Sequence, residues 1–165
     1  QITTSDQIDR ISKLRLSVIA QPIFIDYDMN IVKSRVGPEL ASTSYAFKSL
    51  LDSGAPLNLS TDAPVENCNP FPNIYSAVTR QSIKNPSGKC FLENEKLTVE
   101  EAIDAYTSGS AYNEFKEHFK GRLLPGYVAD LIVLDQDVFT IEPAKIKDIK
   151  VTMTMIDGKI VYESK

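Results

Sequence analysis

A short apolar segment that ends in an aspartate and a proline constrains this chain more than any other feature. The segment reads Leu57-Asn58-Leu59-Ser60-Thr61-Asp62-Ala63-Pro64-Val65. Gly54 can end a helix just before it, and Pro64 lacks the backbone N–H that a strand ladder requires. The pattern therefore predicts a buried strand over residues 57–60, whose carboxyl end carries Asp62 into solvent or a pocket.

Asp62 has two interpretations at this position. An aspartate ahead of Ala63-Pro64 commonly closes a turn by accepting hydrogen bonds from nearby backbone amides. Alternatively, strand ends carry the active site in a parallel α/β barrel, where a carboxylate can bind a metal and accept a proton from the attacking water. The residues alone leave both interpretations open.

Residues 1–60 alternate between helical and extended patterns. The predicted elements are a helix after Thr4 that ends near Arg15, a strand over 16–21, a loop with one helical turn over 23–36 that Gly37-Pro38 closes, a helix over 41–53 and the strand over 57–60. Such alternation predicts parallel strands joined by right-handed crossovers, in an α/β layered or barrel fold.

The rest of the chain passes from helical to extended patterns. The predicted helical features are a cap at Asn73, a capping box from Thr98 to Glu101 and a helix over 108–119. The predicted strands lie over 130–135, 151–156 and 159–162. Asp157-Gly158 between the last two strands indicates a tight hairpin. Because neither half has enough strands for a closed barrel or an independent β domain, each is expected to belong to a larger unit.

The charge balance argues against two classes of partner. With 18 basic and 22 acidic side chains, the chain has a net charge of -4, so we expect no nucleic-acid and no membrane partner. No segment approaches the roughly 20 apolar residues of a membrane span. Cys68 and Cys90 lack the paired spacing of a zinc site or a disulfide framework, which predicts free thiols and a cytoplasmic location.

Other reactive side chains are weaker candidates. His118 is the one histidine and is expected to face solvent, because a histidine without further ligands makes no metal site. Cys68 follows Asp62 and can line a pocket, but no basic neighbour would activate its thiol. Arg35 is expected to form a surface ion pair, with an anion clamp as the alternative. Ser108-Gly109-Ser110 lacks the second glycine of a nucleophile elbow, which argues against serine hydrolase chemistry.

A series of motifs runs along the whole chain. They are Arg35-Val36-Gly37-Pro38-Glu39, the segment from Tyr45 to Gly54, Ser60-Thr61-Asp62-Ala63-Pro64-Val65, Asn69-Pro70, Ala77-Val78-Thr79-Arg80, the segment from Leu97 to Ala102, Gly121-Arg122-Leu123, Pro125-Gly126, the segment from Ala129 to Asp135, and Gly158-Lys159-Ile160-Val161-Tyr162. In this order they resemble the C-terminal part of amidohydrolase family 3. Members of that family resemble cyclic and linear amidases, including deformylases of N-substituted formamides, and some are called exoenzyme regulatory proteins.

The resemblance implies a fold, an activity and a metal. The family fold is a metal-binding (β/α)8 barrel flanked by a small β-sandwich with strands from both chain ends. Residues 1–120 would then form the C-terminal portion of the barrel, and residues 121–165 the C-terminal strands of the sandwich. Asp62 matches the family aspartate that ends the eighth strand, binds a divalent metal, expected to be zinc, and acts as general base. Arg35 and Pro64 are the expected contacts with a small-molecule substrate.

The sequence departs from the family pattern in two respects. Ser60-Thr61 stands where family members usually carry glycine and serine, and the family's histidine ligands are expected upstream of Gln1. Since a catalytic zinc site needs about three protein ligands and water, this chain alone is expected to bind no metal and to be inactive. It is therefore interpreted as the C-terminal fragment of a hydrolase acting on non-peptide, amide-type C–N bonds. The alternative is a non-catalytic structural or regulatory module whose strand edges drive self-association.

Overall fold

The structure is a computed structural model that describes residues 1–86 and 88–164. Its helices are α1 (Ser5–Lys13), α2 (Ile25–Asp28), α3 (Val32–Ala41), α4 (Phe47–Asp52), α5 (Phe71–Thr79), α6 (Val99–Tyr106) and α7 (Ser108–Asn113). Its strands are β1 (Val18–Ala20), β2 (Leu57–Leu59), β3 (Leu131–Leu134), β4 (Val151–Ile156) and β5 (Lys159–Glu163). Short 3-10 turns cover Pro22–Phe24, Glu93–Glu95 and Pro143–Asp148. The mixture of helices and strands agrees with the predicted α/β class.

The strands form two separate sheets. Strands β1 and β2 pair in parallel, with Val18 opposite Leu57 and Ala20 opposite Leu59. Strands β3, β4 and β5 form an antiparallel sheet in that order. The hairpin at Asp157-Gly158 is confirmed, and both residues have positive φ, 48° and 74°, as a tight two-residue turn requires. The alternation of elements over residues 1–60 therefore predicted the parallel pairing, and a local pattern predicted the hairpin.

Helix α5 lies at the centre of the larger hydrophobic core. Its side chains Phe71, Ile74, Tyr75 and Ala77 are at most 2% exposed. The same core includes Leu57 and Leu59 of β2 on one side and Ile146 and Ile149 near the C-terminal sheet on the other. Burial of this apolar surface supplies the main stabilisation of the fold. Among the described residues, every helix is too short or too polar to cross a bilayer.

The prediction of a loop over 23–36 is wrong. A 3-10 turn, α2 and the first half of α3 occupy this region, and Ile25 and Val32 are buried in the interior. Gly37-Pro38 does not close the segment, because the chain continues helically to Ala41 beyond a kink at Gly37 with φ 82° and ψ 166°. The kink has a local cause: a residue before proline avoids the α region, and proline is suited to the first turn of the next helical piece.

Two predicted helices are shorter in the structure, and one predicted cap is wrong. Helix α4 begins only at Phe47, because Tyr45 has a φ of 54° and donates its backbone N–H to the Gln1 carbonyl. Helix α7 ends at Asn113, and the following chain turns back through Phe115 at a φ of 58°. Asn73 lies inside α5 and not at its cap. Local signals located these elements but did not fix their ends.

The predicted capping box at the start of α6 is confirmed. The backbone N–H of Glu101 donates to the Thr98 hydroxyl over 3.1 Å, and the backbone N–H of Thr98 donates to the Glu101 carboxylate over 2.9 Å. These two bonds satisfy donors that the first helical turn leaves without partners. The start of α6 is therefore set by its own sequence.

Candidate functional site

The carboxyl ends of β1 and β2 lie side by side and define the candidate site. The backbone N–H of Ser60 donates to the Ala20 carbonyl over 2.9 Å, which extends the parallel pairing by one step. Beyond this point the chain after β1 enters the turn at Pro22–Phe24, and the chain after β2 enters the segment that contains Asp62. Loops at this end of parallel strands are where α/β proteins place their active sites.

Asp62 is exposed at this edge and has a φ of 58°. Its backbone N–H donates to the Ser60 hydroxyl over 3.1 Å, and its carbonyl accepts from the backbone N–H of Val65 over 2.8 Å. Within residues 1–86 and 88–164, the Asp62 carboxylate accepts no hydrogen bond. Backbone groups and the Ser60 hydroxyl close this turn, so turn closure is not the role of the carboxylate. Its role as a metal ligand stays a prediction.

The buried side chain of Asn73 forms hydrogen bonds with the chain segments that follow both strands. Its side-chain carbonyl accepts from the backbone N–H of Ile23 over 2.6 Å, and its side-chain amide donates to the Ser60 carbonyl over 2.6 Å. The same amide donates to the hydroxyl of Tyr106 on α6. Asn73 has no exposed surface. The sequence did not identify this residue as an anchor, although its four-residue spacing from Ala77, which the structure shows to be buried, places it on the inner face of α5.

Tyr106 stays protonated beneath the strand ends at neutral pH. Burial raises the pKa of its hydroxyl to about 12, although the hydrogen bond from Asn73 acts in the opposite direction. The network around Asn73 is consequently neutral, so it can hold the loops without placing a charge under the candidate site.

The buried side chain of Arg80, which directly follows α5, forms hydrogen bonds with three backbone carbonyls. Its guanidinium donates to the carbonyls of Phe91 over 2.6 Å, Tyr45 over 3.0 Å and Glu95 over 3.3 Å. It also lies 5.6 Å from the centre of the Phe47 ring and 5.5 Å from that of Phe91. Burial lowers its pKa to about 10, which leaves the side chain cationic at neutral pH. One buried guanidinium nitrogen has no hydrogen-bond partner among the described residues.

The remaining predicted residues lie around the site or away from it. Arg35 is exposed on α3, and Pro64 is exposed two positions beyond Asp62. Cys68 is an exposed free thiol that lines an open cavity of about 490 Å³, bounded also by residues of β4 and β5. The His118 side chain is 95% exposed, with Nε2 3.8 Å from the Glu117 carboxylate. None of these placements brings a second candidate ligand to Asp62.

Gly109, which the sequence presented in a possible nucleophile motif, has a packing role. A Cβ atom at this position would lie 2.5 Å from the backbone carbonyl oxygen of Leu57. Glycine therefore lets α7 approach the backbone of β2 closely. The surrounding serines donate to helix carbonyls, Ser108 to that of Asp104 and Ser110 to that of Ala105.

The donor set fits one ligand of a metal centre and not a complete centre. Asp62 offers an exposed carboxylate with no hydrogen bond to a described residue, which suits a first ligand. Over residues 1–86 and 88–164, no three histidine, cysteine, aspartate or glutamate side chains are grouped so that they could hold a metal ion. A catalytic zinc site takes about three protein ligands, so no metal-dependent step can be derived from this chain alone.

Sequence comparison identifies relatives along nearly the whole chain. The model of the amidohydrolase family, family 3, matches residues 1–162. The putative amidohydrolase YtcJ of Bacillus subtilis is 37% identical over 163 residues, which are 99% of this chain and 31% of that protein. The N-substituted formamide deformylase of Arthrobacter pascens is 28% identical over 119 residues, which are 72% of this chain and 21% of that protein.

Structural comparison gives the same result. An uncharacterized metal-dependent hydrolase from Pyrococcus horikoshii matches with a TM-score of 0.75 and 32% identity, over 86% of this chain and 29% of that one. The chain therefore spans about a third or less of the length of each of these three proteins. The family match extends from the first helix to the last strand and confirms the resemblance inferred from the motifs. This chain belongs to the amidohydrolase family.

Proposed function

We propose that this chain is the C-terminal part of a metal-dependent amidohydrolase that cleaves amide-type C–N bonds other than peptide bonds. The observation that carries the proposal is the Asp62 carboxylate, exposed at the carboxyl end of a parallel strand pair and not used in its own turn. The names of the relatives support the reaction class, since they include an amidohydrolase and a formamide deformylase. Within this class we propose a small-molecule substrate.

The proposed fold of the longer protein assigns each sheet to a different unit. Residues 1–120 would be the C-terminal portion of a (β/α)8 barrel, with β1 and β2 as its last two strands. Residues 121–165 would contribute β3, β4 and β5 to a composite β-sandwich. The parallel pairing of β1 with β2 and the antiparallel pairing of β3 to β5 support this division. Both sheets are too small to be complete units by themselves.

Asp62 has two proposed tasks in that protein. Its carboxylate would bind a divalent cation, which we propose is zinc, and would accept a proton from the attacking water. When bound, the cation supplies Lewis-acid activation of water and of the substrate carbonyl. Arg35 and Pro64, both exposed, are proposed to contact the substrate. The remaining metal ligands would come from the preceding part of the longer protein, so the 165-residue chain by itself is proposed to be inactive.

Parallel zinc titrations of the 165-residue chain and of the longer polypeptide test this function. By isothermal calorimetry, the longer polypeptide is expected to bind zinc stoichiometrically at micromolar concentration, because it would hold the full ligand set. The short chain is expected to show no stoichiometric binding. Asp62→Asn should weaken binding to the longer polypeptide. Tight one-to-one binding by the short chain, lost in Asp62→Asn, would show that its own residues form the site.

A second candidate function is a non-catalytic module that acts through its strand edges. One observation favours it: every described residue of β5 is exposed, including Ile160, Val161 and Tyr162, each at least 50% exposed. An exposed apolar edge strand is a template for pairing with another chain. This candidate predicts association without any metal.

Analytical ultracentrifugation tests association of the short chain through β5. Self-association is expected as concentration rises, and Ile160→Lys on β5 should weaken it because charged side chains protect strand edges. The matched control is Leu14→Lys, which changes an apolar residue that is 63% exposed but lies after α1 and away from β5. A monomer at all concentrations, or equal effects of the two variants, would exclude association through this edge.

A further inference from the structure

We propose that Asn73 is a positioning residue that fixes Asp62 at the carboxyl end of β2, with Ser60 as the link between them. This assignment rests on the proposed function of Asp62. Asn73 has no exposed surface, so it would act through the backbone that it holds. No motif in the sequence pointed to this role.

The connection from Asn73 to Asp62 consists of successive hydrogen bonds. The Asn73 amide donates to the Ser60 carbonyl over 2.6 Å, which fixes the peptide unit that leaves β2. The Ser60 hydroxyl then accepts from the backbone N–H of Asp62 over 3.1 Å and lies 3.5 Å from the side-chain nitrogen of Gln21. Asp62 is thus held two residues beyond Ser60, whose carbonyl the buried Asn73 fixes, in the left-handed region with a φ of 58°. Non-glycine residues adopt that region infrequently without such support.

Asparagine is chemically matched to its three partners. Its carbonyl oxygen can accept from the Ile23 N–H, and its two amide hydrogens can serve the Ser60 carbonyl and the Tyr106 hydroxyl. An ionised aspartate would keep the acceptor for Ile23 but would have no donor for Ser60. Alanine would remove both functions and leave the buried Ile23 N–H without its partner, which is costly.

The same residue also fixes the neighbouring loop. Ile23 lies in the turn directly after β1, so one side chain sets the relative positions of the loops that follow both parallel strands. Catalytic groups must be held within fractions of an ångström, since small misplacements cost large factors in rate. A buried neutral anchor shared by two strand ends meets this requirement without adding charge to the site.

Amide hydrogen exchange, followed by NMR in the 165-residue chain, tests the role of Asn73. In Asn73→Ala, the Asp62 and Ile23 amides are expected to exchange about ten-fold faster than in the unmodified chain, with a shifted Asp62 amide resonance. In Asn73→Asp at neutral pH, the Asp62 amide should respond in the same way while the Ile23 amide keeps most of its protection. If Asn73 had only a general structural role, Asn73→Asp would increase the exchange rates of the Asp62 and Ile23 amides equally.

Asn58→Ala is the matched control. Asn58 is also a buried asparagine and lies within β2, but its amide donates to the Ser17 hydroxyl near the opposite end of the strands. This variant should lower stability without moving the Asp62 resonance. If Asn73→Ala does not fold, Tyr106→Phe provides the test, because it removes one partner of the Asn73 amide and should shift Asp62 while Asn58→Ala does not.

Two results would overturn the assignment of Asn73. One is an Asp62 resonance and exchange rate that stay unchanged in a folded Asn73 variant or in Tyr106→Phe. The other is an equal change in Asn58→Ala. These readouts require no metal and no substrate, so failure of the proposed hydrolase function would appear separately, in the zinc titrations of the longer polypeptide.

Discussion

Asp62→Asn is expected to lower kcat of the longer amidohydrolase by about 10²–10⁴-fold, because an asparagine amide can neither take up the proton from water nor bind a cation as a carboxylate does. In the described part of the structure, the Asp62 side chain forms no hydrogen bond on which folding depends, so a loss of activity would not come from a loss of stability. Its side chain is exposed and accepts no hydrogen bond from any residue in 1–86 or 88–164. We therefore expect little change in folding. Initial rates of hydrolysis across a panel of small-molecule amides, the proposed substrate class, would be the primary measurement.

Asp9→Asn serves as the control for the loss of one negative charge. Asp9 is an exposed aspartate on α1. Its substitution should leave both kcat and the free energy of unfolding close to those of the unmodified protein. Hydrolysis that survives Asp62→Asn at the unmodified rate would contradict a catalytic or metal-binding role for this carboxylate.

Arg80→Ala is expected to lower the free energy of unfolding by about 3–5 kcal/mol, a value typical of removing one partner from a buried charged network. The guanidinium donates to three backbone carbonyls, that of Tyr45 just before α4 and those of Phe91 and Glu95 in one later segment, and so joins two distant parts of the chain. It also lies against the rings of Phe47 and Phe91. Alanine would leave carbonyls without donors and a cavity between two aromatic rings. Urea unfolding of the 165-residue chain measures this loss.

Arg122→Ala is the matched control for Arg80→Ala. Arg122 is exposed in the segment after α7, so its loss should change the free energy of unfolding by about 0.5 kcal/mol or less. A cost below about 1 kcal/mol for Arg80→Ala would show that the buried network contributes little net stability, as buried charges sometimes do.

Local patterns predicted the parts of the fold whose cause is local. The capping box of α6, the hairpin at Asp157-Gly158 and the strand β2 each depend on residues within a few positions. The region 23–36 was predicted wrongly because distant contacts stabilise its helices. Asp26 accepts from the backbone N–H of Ile83, and Asp28 accepts from the Tyr45 hydroxyl. Such partners leave no periodic pattern in the segment itself.

The candidate site was predictable to a similar extent. Asp62 drew attention because it follows a buried strand and stands two positions before a proline, but the residues alone left a turn role open, and only the resemblance to the family favoured a metal ligand. Asn73 was not identifiable, because its partners Ile23 and Tyr106 lie 50 and 33 positions away in sequence. An asparagine just before apolar residues at helical spacing instead has the local pattern of a helix cap. Tertiary hydrogen bonds of this kind become visible only in the folded chain.

The position of the metal in a zinc-loaded crystal structure of the longer polypeptide tests the central claim most directly. Anomalous scattering would locate the ion without reference to any assumed ligand. The proposed function predicts an oxygen of the Asp62 carboxylate about 2.0–2.2 Å from zinc, at the carboxyl ends of β1 and β2. A fully ligated zinc site elsewhere, with the Asp62 carboxylate facing bulk solvent, would contradict it.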